Sequence, residues 1–186
     1  MRVLIVGGYA PSLLNFRGPL LARLASLGHE VLAAAPDADS EIIEGLARLG
    51  VEYRSYPLAR AGLNPLRDLQ TFRALKLILK DFRPDVVVAY TAKPVIYTGL
   101  ACQGSSVSSR FFALITGLGY GFGQSGRRQQ LIGRLVRRLY RRALTDASGV
   151  VFQNPDDQSV FRREGLLGER TPDTVVNGSG VDLSHY

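Results

Sequence analysis

Apolar residues in this chain fall into short unbroken runs separated by longer stretches with helical spacing. The runs Val3–Val6, Glu30–Ala34, Glu52–Tyr56, Val86–Ala89, Arg110–Ile115, Gly149–Gln153 and Thr174–Val176 predict strands. Many are apolar at consecutive positions, the pattern of parallel strands covered on both faces. The stretches between them carry helix signals. Gly18-Pro19 opens one helix, Leu20, Leu21, Leu24 and Leu27 line its face, and Gly28 stops it. Asp39-Ser40 caps a second, ended by Gly50. Asn64-Pro65 opens a third that runs to about Lys80, ahead of Arg83-Pro84. A shorter helix is expected after Pro94, and Pro155-Asp156-Asp157 opens the last, which Gly165 ends.

Strand–helix alternation predicts an α/β fold: a Rossmann-like, doubly wound, mostly parallel sheet with helices on both faces, forming one domain over residues 1–186. Right-handed crossovers bring every strand's C-terminal end to one edge, and ligands bind at that edge. At 46% hydrophobic residues, the 186-residue chain has enough apolar mass for a core, yet no run reaches the roughly 18 residues of a membrane span. The first apolar run passes straight into Gly7-Gly8 and reads as a strand, not a secretory signal. Cys102 is the single cysteine, so no internal disulfide forms, and a cytoplasmic setting is expected. His29 and His185 stand far apart with no cysteine pair, so no metal site and no cofactor are expected.

Charge changes this picture in one place. The net charge is +7, and residues 126–142 hold seven arginines with no Asp or Glu. Subtracting the segment's +7 from the total leaves about zero for the rest of the chain. Within this segment Leu131, Ile132, Leu135, Val136, Leu139, Tyr140, Ala143 and Leu144 recur at three- and four-residue steps as one apolar stripe. Arg134, Arg137, Arg138 and Arg141 share another side, with Arg127 and Arg128 before them. Guanidinium groups favour bidentate contact with phosphate, so pyrophosphates and anionic lipid headgroups are the expected targets.

Three further constellations fall at the predicted edge. Gly7 and Gly8 follow the first strand, with Asn15 and Arg17 as polar contacts beyond them. Glycine there permits positive φ and close approach to a ligand, but the spacing to Gly18 does not fit a dinucleotide fingerprint. Tyr90, Thr91 and Lys93 follow the fourth strand. Pro94 biases Lys93 away from helical backbone, so Lys93 is expected in a loop where it can meet a phosphate or sugar oxygen. Thr116 and Gly117 open a loop after the fifth strand in which glycines alternate with Leu118, Tyr120 and Phe122.

The segments NFRGPLLARLASLGHEV, YTAKPVIYTGLA, ITGLGYGF, VFQNPDDQSVF and VNGSGVDLSHY, in this order, resemble the N-terminal half of GT-B-fold retaining glycosyltransferases of the GT4 type, the PglA-like and CapM-like bacterial subgroup. The resemblance covers essentially the whole chain. It implies an acceptor-binding domain whose partner domain, absent from this chain, grips a nucleotide-sugar donor without a metal. It further implies a saccharide acceptor linked to undecaprenyl pyrophosphate, and work at the inner face of the cytoplasmic membrane, on an anionic surface. The expected acceptor-site residues are Gly7, Gly8, Asn15, Arg17, Thr91, Lys93, Thr116 and Gly117, with Lys93 and Thr116 the candidate cleft residues for catalysis. Many relatives have a histidine after the fifth strand, where this chain has Ile115-Thr116-Gly117, so catalytic help from a histidine there is not expected. Half a cleft predicts no transferase activity for the chain alone. Two other readings stay open: a nucleotide-sugar 2-epimerase of the same fold, and a basic module that binds phosphate or nucleic acid. Tyr140 is the only aromatic in the arginine segment, which disfavours base stacking, so no nucleic-acid partner is expected.

Overall fold

A computed structural model describes residues 1–59, 62, 64–118 and 126–180, with residues 127–129 described by backbone alone. Seven strands form: β1 (Arg2–Val6), β2 (Glu30–Ala35), β3 (Val51–Ser55), β4 (Val86–Tyr90), β5 (Arg110–Ile115), β6 (Gly149–Phe152) and β7 (Asp173–Val175). All pair in parallel, in the order β3-β2-β1-β4-β5-β6-β7. The helices are α1 (Pro11–Asn15), α2 (Gly18–Ser26), α3 (Ser40–Arg48), α4 (Pro65–Phe82), α5 (Ala92–Gln103), α6 (Arg127–Leu144) and α7 (Pro155–Arg163). Their apolar faces divide between the two faces of the sheet. Val3, Ile5, Val31 and Ala33 pack with Leu13, Leu21, Ile42 and Leu46 of α1–α3. Leu4, Leu32, Val87 and Ala113 pack with Leu75, Ile96, Tyr140 and Phe161 of α4–α7. Burial on both faces is why the strands lack polar alternation.

Helix ends follow local chemistry. The side chains of Asp39, Asn64 and Asn154 accept from backbone N–H groups in the first turns of α3, α4 and α7. Gly28, Gly50 and Gly165 take positive φ just beyond α2, α3 and α7. The short α1 was not expected; Pro11 starts it, its missing N–H costing nothing at a first helical turn.

The helix after β4 begins earlier than expected. It starts at Ala92 and includes Lys93, so Lys93 is not in a loop. A proline in the first turn forfeits no intrahelical bond, and Val95 N–H closes the turn onto Thr91 O at 3.0 Å. Lys93 turns towards the helix layer, where its Nζ meets Asp68 Oδ1 of α4 at 2.8 Å. The two side chains are 15% and 11% exposed, so this ion pair clamps α4 to α5 out of water. Tyr97 lies beside Asp68, and burial together with that carboxylate pushes the Tyr97 phenol up from its usual pKa.

On the next helix, Tyr140, Ala143 and Leu144 are buried, and Gly99 of α5 lets the helices approach: a Cβ there would lie 2.6 Å from Ala143 O. The expected apolar stripe does not all go inward. Leu131 and Leu135 are 67% and 45% exposed. At 100° per residue the eight positions span an arc of about 220°, wider than one contact face, and these two fall at its far margin.

Gly7 and Gly8 do not use positive φ. Space is the reason for glycine here. A Cβ on Gly7 would fall onto the Tyr90 ring, 2.5 Å from Cζ, and one on Gly8 would sit 2.8 Å from Thr91 Oγ1. Gly7→Ala is therefore expected to destabilise the chain by about 1–3 kcal/mol, through displacement of Tyr90. The urea midpoint measures it; an unchanged midpoint would show that the ring has room to move.

Breaking the interhelix pair should cost more. Lys93→Met leaves Asp68 buried without its cation and is expected to lose about 3 kcal/mol. Adding Asp68→Asn should recover much of that loss, which a double-mutant cycle by urea denaturation reads directly.

Candidate functional site at the strand edge

Strand order reverses between β1 and β4, whose neighbours lead to opposite ends of the sheet. In open α/β sheets the crevice at this switch point is where ligands bind. Gly7, Gly8, Tyr90 and Thr91 stand there. Gly7 N–H donates to Ala34 O at 2.8 Å, and the buried Tyr56 hydroxyl donates to Gly7 O at 2.6 Å, so the first loop is held from two sides. Burial pushes the Tyr56 phenol well above its usual pKa, keeping that hydroxyl a donor.

Thr91 is strained. Its φ is +67° and ψ 155°, a region costly for a β-branched residue. It occupies the N-cap of α5 without a side-chain capping bond. Strain of this kind persists only where the surroundings enforce it, and here Gly8, Tyr90 and the first turn of α5 do so. The half-buried Thr91, Ala92 and Lys93 therefore have a fixed backbone at the switch point.

Tyr90 ties the end of β4 to α1 and α2. Its hydroxyl shares a 2.8 Å hydrogen bond with Ser12 of α1. The guanidinium of Arg17, at the N-cap of α2, lies 4.8 Å from its ring centroid. Burial pushes the Tyr90 phenol up, with the Ser12 bond and the nearby guanidinium partly opposing, so Tyr90 is neutral. Arg17 is only 6% exposed. Its Nη1 donates to Phe16 O at 3.2 Å and to Ser179 Oγ at 2.9 Å. Burial lowers its pKa, the first cause, while Tyr90 acts in the opposite sense.

Ser179 comes from the segment after β7, between Gly178 and Gly180, both at positive φ. It also accepts from Gln153 Nε2 at 2.9 Å, just beyond β6. Thr116 and Gly117 follow β5, half-buried, and Gln153 N–H donates to Ile115 O beside them. Asn15 ends α1 in solvent. So the edge gathers Gly7, Gly8, Arg17, Thr91, Thr116 and Gly117, while Lys93 starts α5 there but spends its ammonium on Asp68.

Several edge residues carried no sequence signal that singled them out. Ser12, Tyr56, Gln153 and Ser179 come to the edge only through the fold. Asp68 did have a signal: it is the one acid between Pro65 and Lys80, in the first turns of a helix rich in apolar and basic residues.

The arginines of α6 divide into two groups. Arg137 Nε pairs with Glu164 Oε2 at 3.0 Å, and Arg141 donates to Gly165 O and Glu164 O at 2.8 and 2.9 Å. Both hold the C-terminal end of α7, Arg137 through the Glu164 carboxylate and Arg141 through carbonyls that the helix leaves open. Arg134 and Arg138 stay exposed, beside Leu131 and Leu135. The Arg127 and Arg128 side chains, and residues 119–125 of the glycine-aromatic loop, lie outside the described residues. Among the described residues no cluster of His, Cys, Asp and Glu fits a metal ion, and no helix is long and apolar enough to cross a membrane. Cys102 is packed in α5, its thiol pushed up to about 12 by burial, which leaves it unreactive.

The chain is similar over all its 186 residues, at 26% identity, to the N,N'-diacetylbacillosaminyl-diphospho-undecaprenol alpha-1,3-N-acetylgalactosaminyltransferase of Campylobacter jejuni. It spans 48% of that protein, about half the length of this curated relative. Among solved structures it resembles Anabaena HepE in complex with UDP and glucose, with a TM-score of 0.66 and 16% identity over 100% of this chain and 46% of that one. It also resembles the UDP-GlcNAc 2-epimerase of Methanocaldococcus jannaschii, with a TM-score of 0.60 and 15% identity over 96% of this chain and 46% of that one. At such identities these likenesses show the fold, the N-terminal half of a GT-B architecture, which transferases and epimerases share. The family narrows it: residues 17–177 match the glycosyl transferase 4-like domain, and the chain belongs to that family.

Proposed function

We propose that this chain is the acceptor-binding half of a retaining glycosyltransferase that moves a sugar from a nucleotide-sugar donor to a saccharide carried on undecaprenyl diphosphate. The observation that carries this reading is the likeness, over all 186 residues of this chain, to about half of a transferase whose name specifies a diphospho-undecaprenol acceptor. The strand edge agrees with it, because a fixed backbone at Gly7, Gly8 and Thr91 and a buried cation at Arg17 suit a polar, anionic ligand. Thr116 and Gly117 border the same edge. The half-domain's contribution to transfer is positioning and electrostatics. The donor is gripped by the other half, and the chain alone is inactive. The full-length protein, given nucleotide sugars and an undecaprenyl-diphosphate saccharide, is expected to elongate the saccharide. Epimerisation of UDP-GlcNAc without acceptor would overturn the transferase reading in favour of the epimerase.

The same reading places the protein in the cytoplasm, peripheral on the inner face of the cytoplasmic membrane. The outward face of α6 supports it: Arg134 and Arg138 for headgroups, Leu131 and Leu135 for the acyl boundary. Arg137 and Arg141 have structural work on α7 and are not expected to contribute. Each basic residue near an anionic leaflet is worth about 1 kcal/mol, so Arg134→Gln with Arg138→Gln should weaken binding to phosphatidylglycerol-containing vesicles roughly 30-fold at low salt. Cosedimentation measures it, and unchanged binding would remove α6 from the membrane surface. Arg137→Gln with Arg141→Gln should instead lower the thermal midpoint.

Thr91 gives a separate test of the edge. Thr91→Gly relieves the positive φ and is expected to stabilise the fold by up to about 1 kcal/mol while lowering the transfer rate of the full-length protein. Higher stability with an undiminished rate would separate the strain from function.

A further inference from the structure

Arg17 is a cation without an anion. It is 6% exposed, and among the described residues no carboxylate pairs with it. Removing a guanidinium from water is costly unless a negative group and a full set of acceptors replace it. The chain supplies two oxygens, Phe16 O and Ser179 Oγ, and both fall on Nη1. The Tyr90 ring covers one face. Nε is sealed from solvent and has no partner. Among the described residues Nη2 donates to nothing, and it is not among the sealed atoms. Tyr90 is not the missing anion, because burial holds its phenol neutral. Nη2 is therefore the guanidinium donor left open to a phosphate or carboxylate.

Position narrows the ligand. Arg17 opens α2 above the C-terminal ends of the strands, against Tyr90 of the switch-point strand β4. The exposed Ser179 hydroxyl lies 2.9 Å from Nη1, so a second polar group flanks the same guanidinium. The arginines of α6 serve α7 or face outward, which leaves Arg17 as the described arginine built into the edge.

We propose that Arg17 is the phosphate-reading residue of this edge, binding one phosphate of an organic diphosphate through Nη2 while Ser179 and Phe16 hold Nη1. The proposal deepens the transferase reading and rests on its assignment of the edge as the ligand site. Two sources share the chemistry, a lipid diphosphate and a nucleoside diphosphate.

Calorimetric titration of the chain with inorganic pyrophosphate tests it, with thermal melts of each variant alongside. The wild type should bind. Arg17→Lys keeps the charge but not the planar fork, and should bind at least about ten-fold more weakly. Arg17→Met should lose binding yet melt within a few degrees of wild type, since it also removes an unpaired buried charge. No binding by the folded wild type overturns the proposal, and so does Arg17→Lys binding within two-fold of it. If Arg17→Met does not fold, Arg17→Lys decides alone. Farnesyl diphosphate and UDP then identify the source: the ligand weakened by Arg17→Lys is the one read here, and dependence of neither overturns the site. These titrations do not involve transfer, so a full-length protein that transfers nothing would sink the transferase reading and leave the Arg17 result standing.

Discussion

Gly7 has no side chain, and the Tyr90 ring stands where one would be. Much of the strand edge depends on that exchange of space. Because the ring lies across the end of β1, its hydroxyl meets Ser12 of α1 and its face meets Arg17 of α2. The Tyr56 hydroxyl holds the Gly7 carbonyl from the other side. The residue after Tyr90 then has little freedom. Thr91 takes a positive φ, sets its hydroxyl where a side chain on Gly8 would reach, and starts α5. One small residue thus couples β1, β4, three helices and the strained backbone at the switch point.

The same packing separates charges that share a chemistry. Lys93 starts beside the edge, but Asp68 draws its ammonium into the α4–α5 interface. Arg137 and Arg141 complete the end of α7. Arg134 and Arg138 face outward with two leucines. Arg17 alone of these is buried at the edge with its donors partly unused. A phosphate ligand and a lipid surface therefore need not compete for one patch, since the cations that suit each lie on different elements.

The fold was legible because its signals are local and redundant. Unbroken apolar runs marked the doubly covered strands, and Asp39, Asn64 and Asn154 capped helices from where they stood in the chain. Errors arose where a local rule met a tertiary demand. Pro94 disfavours helix at Lys93, yet first-turn proline forfeits no bond and the ion pair to Asp68 rewards the helical position. The wide apolar arc of α6 could not all be buried once Gly99 had fixed its contact with α5. Glycines after β1 suggested backbone freedom, but the space they leave is taken by Tyr90 and Thr91.

By itself the sequence determined the strand and helix pattern, the parallel sheet, the edge where loops gather and the concentration of positive charge, because each follows from residue type and spacing. Only the tertiary structure decided which charged groups are left to meet a ligand. Partners such as Asp68 with Lys93, Glu164 with Arg137 and Ser179 with Arg17 lie 25, 27 and 162 residues apart in sequence. Spacing along a chain cannot reveal whether a cation is satisfied, since Coulombic and hydrogen-bonding contacts depend on distances that only the folded sheet sets.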